Sequence, residues 1–214
     1  MDVFGHQWHN HPERIEQAWK ESVASDDWVL VPGDISWAMR LQEAAEDLAF
    51  LGMLPGNIIL VRGNHDYWWQ GIGKVRQALP PNMYAVQNDY VLLPGGIAVC
   101  GTRGWELPSR EGVSAHDIRI YEREATRLRL SLEQGRRSGA RRLIAMLHFP
   151  PAESGAMPTG FTATLAEFGV DTCVYGHLHG EATRSALKGC HRGIAYHLVA
   201  ADALDFRPLF LEYL

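Results

Sequence analysis

Four apolar runs in this chain end in side chains that bind cations or move protons. Asp34 closes "VLVPGD"; Asn64, His65 and Asp66 close "ILVRGNHD"; His148 closes "IAMLH"; His177 and His179 close "CVYGHLH". In an open α/β sheet, groups just beyond the carboxyl ends of strands share one crevice, so residues distant in sequence become neighbours there. Carboxylate, imidazole and amide oxygen without thiolate suit a borderline divalent metal such as Zn, Mn, Fe or Ni. Gly33, Gly63 and Gly176 each stand just before the polar group, where a residue without Cβ lets the backbone turn sharply toward a ligand.

Taken singly, each fragment has a plain reading. A Gly-Asp after a strand makes a turn or a helix cap, and one histidine at a strand end is commonly a satisfied, partly buried side chain. "GHLH" is more specific, because imidazoles two residues apart on an extended segment project to the same side. The recurrence at four strand ends is what points to a metal centre.

The elements that must position these groups follow from periodicity. Helical spacing of apolar residues occurs in "PERIEQAWKESV" from Pro12, in "AMRLQEAAEDLAFLGML" from Ala38 and between Ser114 and Gln134. Buried strands are expected at "WVLVP", "NIILVR", "YVLLP", "GIAVCGT", "RRLIAMLH", "DTCVYG", "IAYHLV" and "PLFLEYL", the last two as neighbours in a meander. Strands and helices alternate in the first third, as in parallel βαβ units, so the expected class is α/β with mixed sheets. "HFPPAESGAMPTGF" is expected to be a functional surface loop.

Length and composition set outer bounds. At 214 residues and 46% hydrophobic, the chain fits one domain spanning 1–214. A net charge of -5 gives no basic face for a phosphate backbone, so nucleic acid is not a favoured partner. The arginines between Arg127 and Arg142 read as a solvated helix end. Three cysteines, with no Cys-x-x-Cys pair, suit neither a disulfide framework nor a thiolate zinc site, and the expectation is reduced thiols in a cytoplasmic protein. No apolar run approaches the ~18 residues of a membrane span, and "MDVFGHQWHNHPER" lacks the pattern of a signal peptide.

Gly33-Asp34, "GNHD", His148 and "GHLH" together resemble the motif series of calcineurin-like metallophosphoesterases, and "GDISWAM", "RGNHDYWW" and "HFPP" resemble a bacterial branch of predicted phosphohydrolases. The resemblance implies a four-layer α/β/β/α sandwich with two facing mixed sheets and two divalent metals at the sheet edges. By position, Asp34 would bridge the metals, Asn64, His148 and His177 would complete the second site, and His179 would bind the first. His65 would be the proton donor, with Asp66 orienting its ring, and Arg103 in "GTRGW" would bind phosphate. A metal-bridging hydroxide would then hydrolyse a small-molecule phosphoester, with His65 as general acid. Tyr67, Trp68 and Trp69 have two readings, a stacking platform for an aromatic leaving group or a wedge between helix and sheet.

The family opens with a strand ending in Asp-x-His that supplies two ligands to the first metal, and that motif has no counterpart in this sequence. Two expectations follow. Either the chain is an N-terminally shortened phosphoesterase, or it is a metal-binding or scaffold protein with an incomplete first site and impaired catalysis. In both cases an apolar sheet edge should be exposed and the protein should associate.

Overall fold

The computed structural model describes residues 5–155 and 157–211. Two sheets face one another. The first has the order β1-β2-β3, with β1 at Trp28–Val31, β2 at Asn57–Leu60 and β3 at Met83–Ala85, all parallel. The second has the order β4-β5-β6-β7-β9-β8. Its parallel centre is β5 (Ile97–Thr102), β6 (Arg142–Leu147), β7 (Thr172–Tyr175) and β9 (Ile194–Leu198). Its antiparallel edges are β4 (Tyr90–Leu93) and β8 (Gly189–His191). The architecture is therefore the expected mixed α/β arrangement of two sheets with helices, except that the first sheet is purely parallel.

Side-chain alternation along the strands separates three apolar layers. Ile59 and Val61 face Val99, Ile144, Met146 and Val174 between the sheets. The alternate residues Ile58 and Leu60 pack outward with Trp19, Leu48, Trp68 and Val75, so α1 (His11–Ser22), α2 (Ala45–Gly52) and α3 (Ile72–Ala78) cover the first sheet. Leu143, Ala145, Leu147, Cys173 and Tyr175 pack outward with Leu128, Leu132, Phe161 and Leu165 of α4 (Ala115–Arg137) and α5 (Gly160–Glu167). Helix α4 starts at a capping box, in which the Ser114 side chain accepts from the Asp117 N–H and the Asp117 carboxylate accepts from the Ser114 N–H.

Several expectations need correction. The long segment from Ala38 forms only α2, preceded by turns. Pro208–Leu211 carries no strand, so β9 pairs with β8 and β7 rather than with "PLFLEYL", whose residues 212–214 lie outside the described ones. Short elements α3, α5, β3 and β8 were not expected; seven or eight residues of helix hold too few turns to show a periodic face. The arginines of α4 do more than sit in solvent: Arg129 pairs with Glu167 at 2.5 Å, and Arg136 donates to the Phe168 and Gly169 carbonyls, fastening α4 to the end of α5. Cys100 and Cys173 are buried free thiols, while Cys190 is exposed.

Strand β1 is an outer strand and is only half-buried along its length. Beside it runs an apolar groove of about 420 Å³ lined by Leu30, Val31, Ile144, Val174, Val199 and Leu211, with Phe210 77% exposed at its margin. Outer strands of this kind pair with other chains. Sedimentation velocity is expected to show association at micromolar concentration that Phe210→Asp weakens; a monomer indifferent to that substitution would contradict this account of the edge.

Candidate metal and phosphate site

The site lies where the carboxyl ends of β1 and β2 in one sheet meet those of β6 and β7 in the other. After β1 the chain passes Pro32 and Gly33 to Asp34; after β2 it passes Val61, Arg62 and Gly63 to Asn64. The two turns touch. A Cβ on Gly63 would stand 2.0 Å from Asp34 Oδ1, and one on Gly33 would stand 2.6 Å from the Gly63 nitrogen, so no larger residue fits at either position. Gly33 also has φ +92°, a conformation that glycine adopts without cost. Asp34 and His177, both non-glycine, sit at φ 55° and 70°, the strained left-handed region found disproportionately at functional sites.

One carboxylate holds these turns together. Asp66 Oδ2 accepts the backbone N–H of Gly63 at 2.7 Å and of Asp34 at 2.9 Å. Its Oδ1 accepts Ile35 N–H at 2.8 Å, Ser36 N–H at 3.1 Å and the Trp68 indole N–H at 3.0 Å. Burial pushes the Asp66 carboxyl above its ordinary value, and the backbone donors of Gly63 and Ser36 pull it back down. The expectation that Asp66 orients the His65 ring is thereby corrected, because both of its oxygens are taken by these donors. The His65 ring instead meets the Tyr67 hydroxyl, 3.3 Å from Nδ1, and its backbone N–H donates to Asp34 Oδ1 at 2.9 Å.

Around the Asn64 amide oxygen the expected ligands converge. His148 Nε2 lies 2.6 Å from it and His177 Nδ1 lies 3.0 Å from it, with the two ring nitrogens 3.2 Å apart. Asp34 Oδ2 is 3.5 Å from His148 Nε2. His148 donates its Nδ1–H to the Pro32 carbonyl at 2.8 Å, a bond between the two sheets that leaves Nε2 with a bare lone pair facing the Asn64 oxygen. Burial lowers the His148 pKa to about 4, so near neutral pH the ring is uncharged and its lone pair is available. At 2.6 Å, His148 Nε2 and Asn64 Oδ1 are within hydrogen-bond distance, shorter than the separation of two ligands on one cation. A spacing of 3.2 Å between the ring nitrogens is close to the roughly 3.3 Å edge of a tetrahedron with metal–nitrogen bonds of about 2.0–2.1 Å. Among the described residues, no group of three or more His, Cys, Asp or Glu side chains that could hold a metal is found. Two imidazole nitrogens, an amide oxygen and a carboxylate are a donor set of the kind that binds borderline divalent metals.

His179 is held differently. Its Nδ1 lies 2.8 Å from Asp202, which also accepts the Gly180 N–H at 2.8 Å, and its ring meets Trp8 edge-on at 5.3 Å. A carboxylate on Nδ1 fixes the tautomer and the orientation of a histidine ring. Asp34, Asn64, His148 and His177 are the four that converge on one point. Sequence reasoning missed Asp202, although it follows β9 as Asp34 follows β1 and the same strand-end rule would have found it. It also missed Glu106, 3.8 Å from His177 Nε2 and paired with Arg110, whose carboxyl is held below the ordinary range by His177 first and by Arg110. Phe149 packs its ring 4.1 Å from that of His177.

Two arginines belong to the neighbouring backbone: the Arg103 carbonyl accepts the His148 N–H at 3.0 Å, and Arg62 precedes Asn64 by two residues. Arg103 stacks its guanidinium 4.2 Å from the Trp105 ring, and burial lowers its pKa to about 10, with the nearby Arg62 charge adding to that effect. Arg62, which sequence reasoning passed over, has a buried Nε with no hydrogen-bond partner. Trp68 and Trp69 are 0% and 4% exposed and serve as the wedge, whereas Tyr67 is 51% exposed.

Comparison with known proteins places this geometry in a class. The family model for calcineurin-like phosphoesterases matches residues 6–181, and the chain belongs to that family. It is therefore one of a family of metal-dependent phosphoester hydrolases that bind divalent cations. No curated protein matches the sequence. One crystal structure superposes with a TM-score of 0.49 at 13% identity, covering 80% of this chain and 80% of that one. No helix among the described residues is long and apolar enough to cross a membrane.

Asp66→Asn would turn an amide N–H toward donors that now face an oxygen. It is expected to lower the unfolding free energy of the metal-free protein by about 2–4 kcal/mol in urea titration. A change within about 0.5 kcal/mol would contradict the role given to this carboxylate.

Proposed function

We propose that this protein hydrolyses small-molecule phosphoesters at the cluster of Asp34, Asn64, His148 and His177, using a divalent cation held there and His65 as the general acid. The observation that carries the reading is the approach of His148 Nε2 and His177 Nδ1 to the Asn64 amide oxygen at 2.6 and 3.0 Å, with Asp34 Oδ2 3.5 Å from His148 Nε2. When bound, a divalent cation supplies the activated water and stabilises charge on the phosphoryl oxygens. The chain's own residues do the rest. Asp34 and His179, the latter oriented by Asp202, would hold a second cation. Arg62 and Arg103 would donate to the phosphate oxygens, where planar guanidinium donors match the acceptor geometry. His65, partly exposed at the mouth of the site, would deliver its ring proton to the departing alkoxide, and the Tyr67 hydroxyl at Nδ1 would steady the ring.

Metal analysis and turnover together test the reading. Protein reconstituted in turn with Mn, Fe, Ni and Zn is expected to hydrolyse p-nitrophenyl phosphate and to lose activity on chelation. His65→Ala should keep its metal content and lose about 10²–10⁴-fold of turnover on alkyl phosphates, whose leaving groups need a proton. Tight metal binding without turnover on any phosphoester would favour a scaffold, and loss of metal in the variant would make His65 a ligand.

A further inference from the structure

Two large rings stand exposed beside the proton donor. Trp37, three residues past Asp34, is 47% exposed, with its ring centroid 5.5 Å from that of His65. Tyr67 is 51% exposed, 6.0 Å from the same ring. Neither is needed to fill the helix-side core, where Trp68 and Trp69 bury their rings and bond their indole N–H groups to Asp66 and Gln87. Within three consecutive residues of "YWW", then, two rings turn inward and one stays in solvent at the mouth of the site. Trp37, on a separate turn, meets it around His65.

We infer that Trp37 and Tyr67 form an aromatic rim that selects phosphoesters whose leaving alcohol carries a planar aromatic ring directly on its oxygen. The inference rests on the phosphoesterase reading of the site and names the substrate class. The leaving oxygen must come within hydrogen-bond distance of His65 for protonation. A ring attached to that oxygen then falls inside the 4.5–7 Å centroid range over which aromatic rings stack or meet edge to face. An alkyl group of equal size gains no such ring–ring contact.

Binding, rather than turnover, tests the rim. Calorimetric titration of the metal-loaded protein with phenylphosphonate and with cyclohexylphosphonate, neither of which has a cleavable ester bond, should show the phenyl compound bound roughly fivefold or more tightly. Trp37→Leu and Tyr67→Leu should each reduce that preference, while Trp37→Phe and Tyr67→Phe, which keep a ring, should retain most of it. A preference unchanged by the leucine variants, equal affinity for the two compounds, or binding of neither would overturn the rim. Failure of the phosphoesterase reading looks different: the phenyl preference and its loss in the leucine variants would persist while no phosphoester was hydrolysed with any metal.

Discussion

The site depends on a buried carboxylate that binds backbone rather than substrate. Asp66 takes the N–H groups of Gly63, Asp34, Ile35 and Ser36 onto two oxygens and so fixes the turns after β1 and β2 at contact distance. Four main-chain donors at a turn would otherwise be left unsatisfied in a dry interior, at a cost of about 1–3 kcal/mol each. The tightness of the approach explains the glycines. Gly63 lies against Asp34 and Gly33 lies against Gly63, so the carboxylate and the missing Cβ atoms are two halves of one constraint. A residue expected to tune a histidine thus sets the backbone from which Asp34 and Asn64 project.

From that platform the second sheet closes the site. His148 spans the gap between sheets through its bond to the Pro32 carbonyl, and the same bond selects the tautomer that leaves Nε2 as a ligand atom. Burial keeps the ring neutral. The interior that makes His148 a poor base suits it to the ligand role proposed for it. His177, in a strained conformation and flanked by Phe149 and Glu106, brings its nitrogen to the same oxygen. Fold and function meet at this point, because the layer of Ile59, Val61, Ile144, Met146 and Val174 sets how far apart the two sheets stand.

Much of this was legible in the sequence, because strand ends announce themselves. Apolar runs with β-branched residues, followed by glycine and a ligand-type side chain, gave the strands, their order of appearance and the convergent set Asp34, Asn64, His148 and His177. What was hidden depends on three-dimensional neighbours. Asp66 sits among backbone donors 30 residues upstream, a partnership that no local spacing encodes. Arg62 stands inside a strand-end motif and reads as a spacer until its Nε is seen to lack a partner. Glu106 and Asp202 matter through the histidines they touch. The short α3, α5, β3 and β8 exist because tertiary packing supports them where local propensity is weak. "PLFLEYL" is a short apolar run of the kind that forms buried strands, yet Pro208–Leu211 forms none.

Anomalous diffraction from crystals of the zinc-loaded protein is the most direct test of the central claim that one cation is shared by side chains from four strand ends. The expected result is a peak about 2.0–2.2 Å from Asn64 Oδ1, His148 Nε2, His177 Nδ1 and an Asp34 oxygen. Zinc found elsewhere, or a His148 Nε2 bonded to the Asn64 side chain with no cation between them, would contradict it.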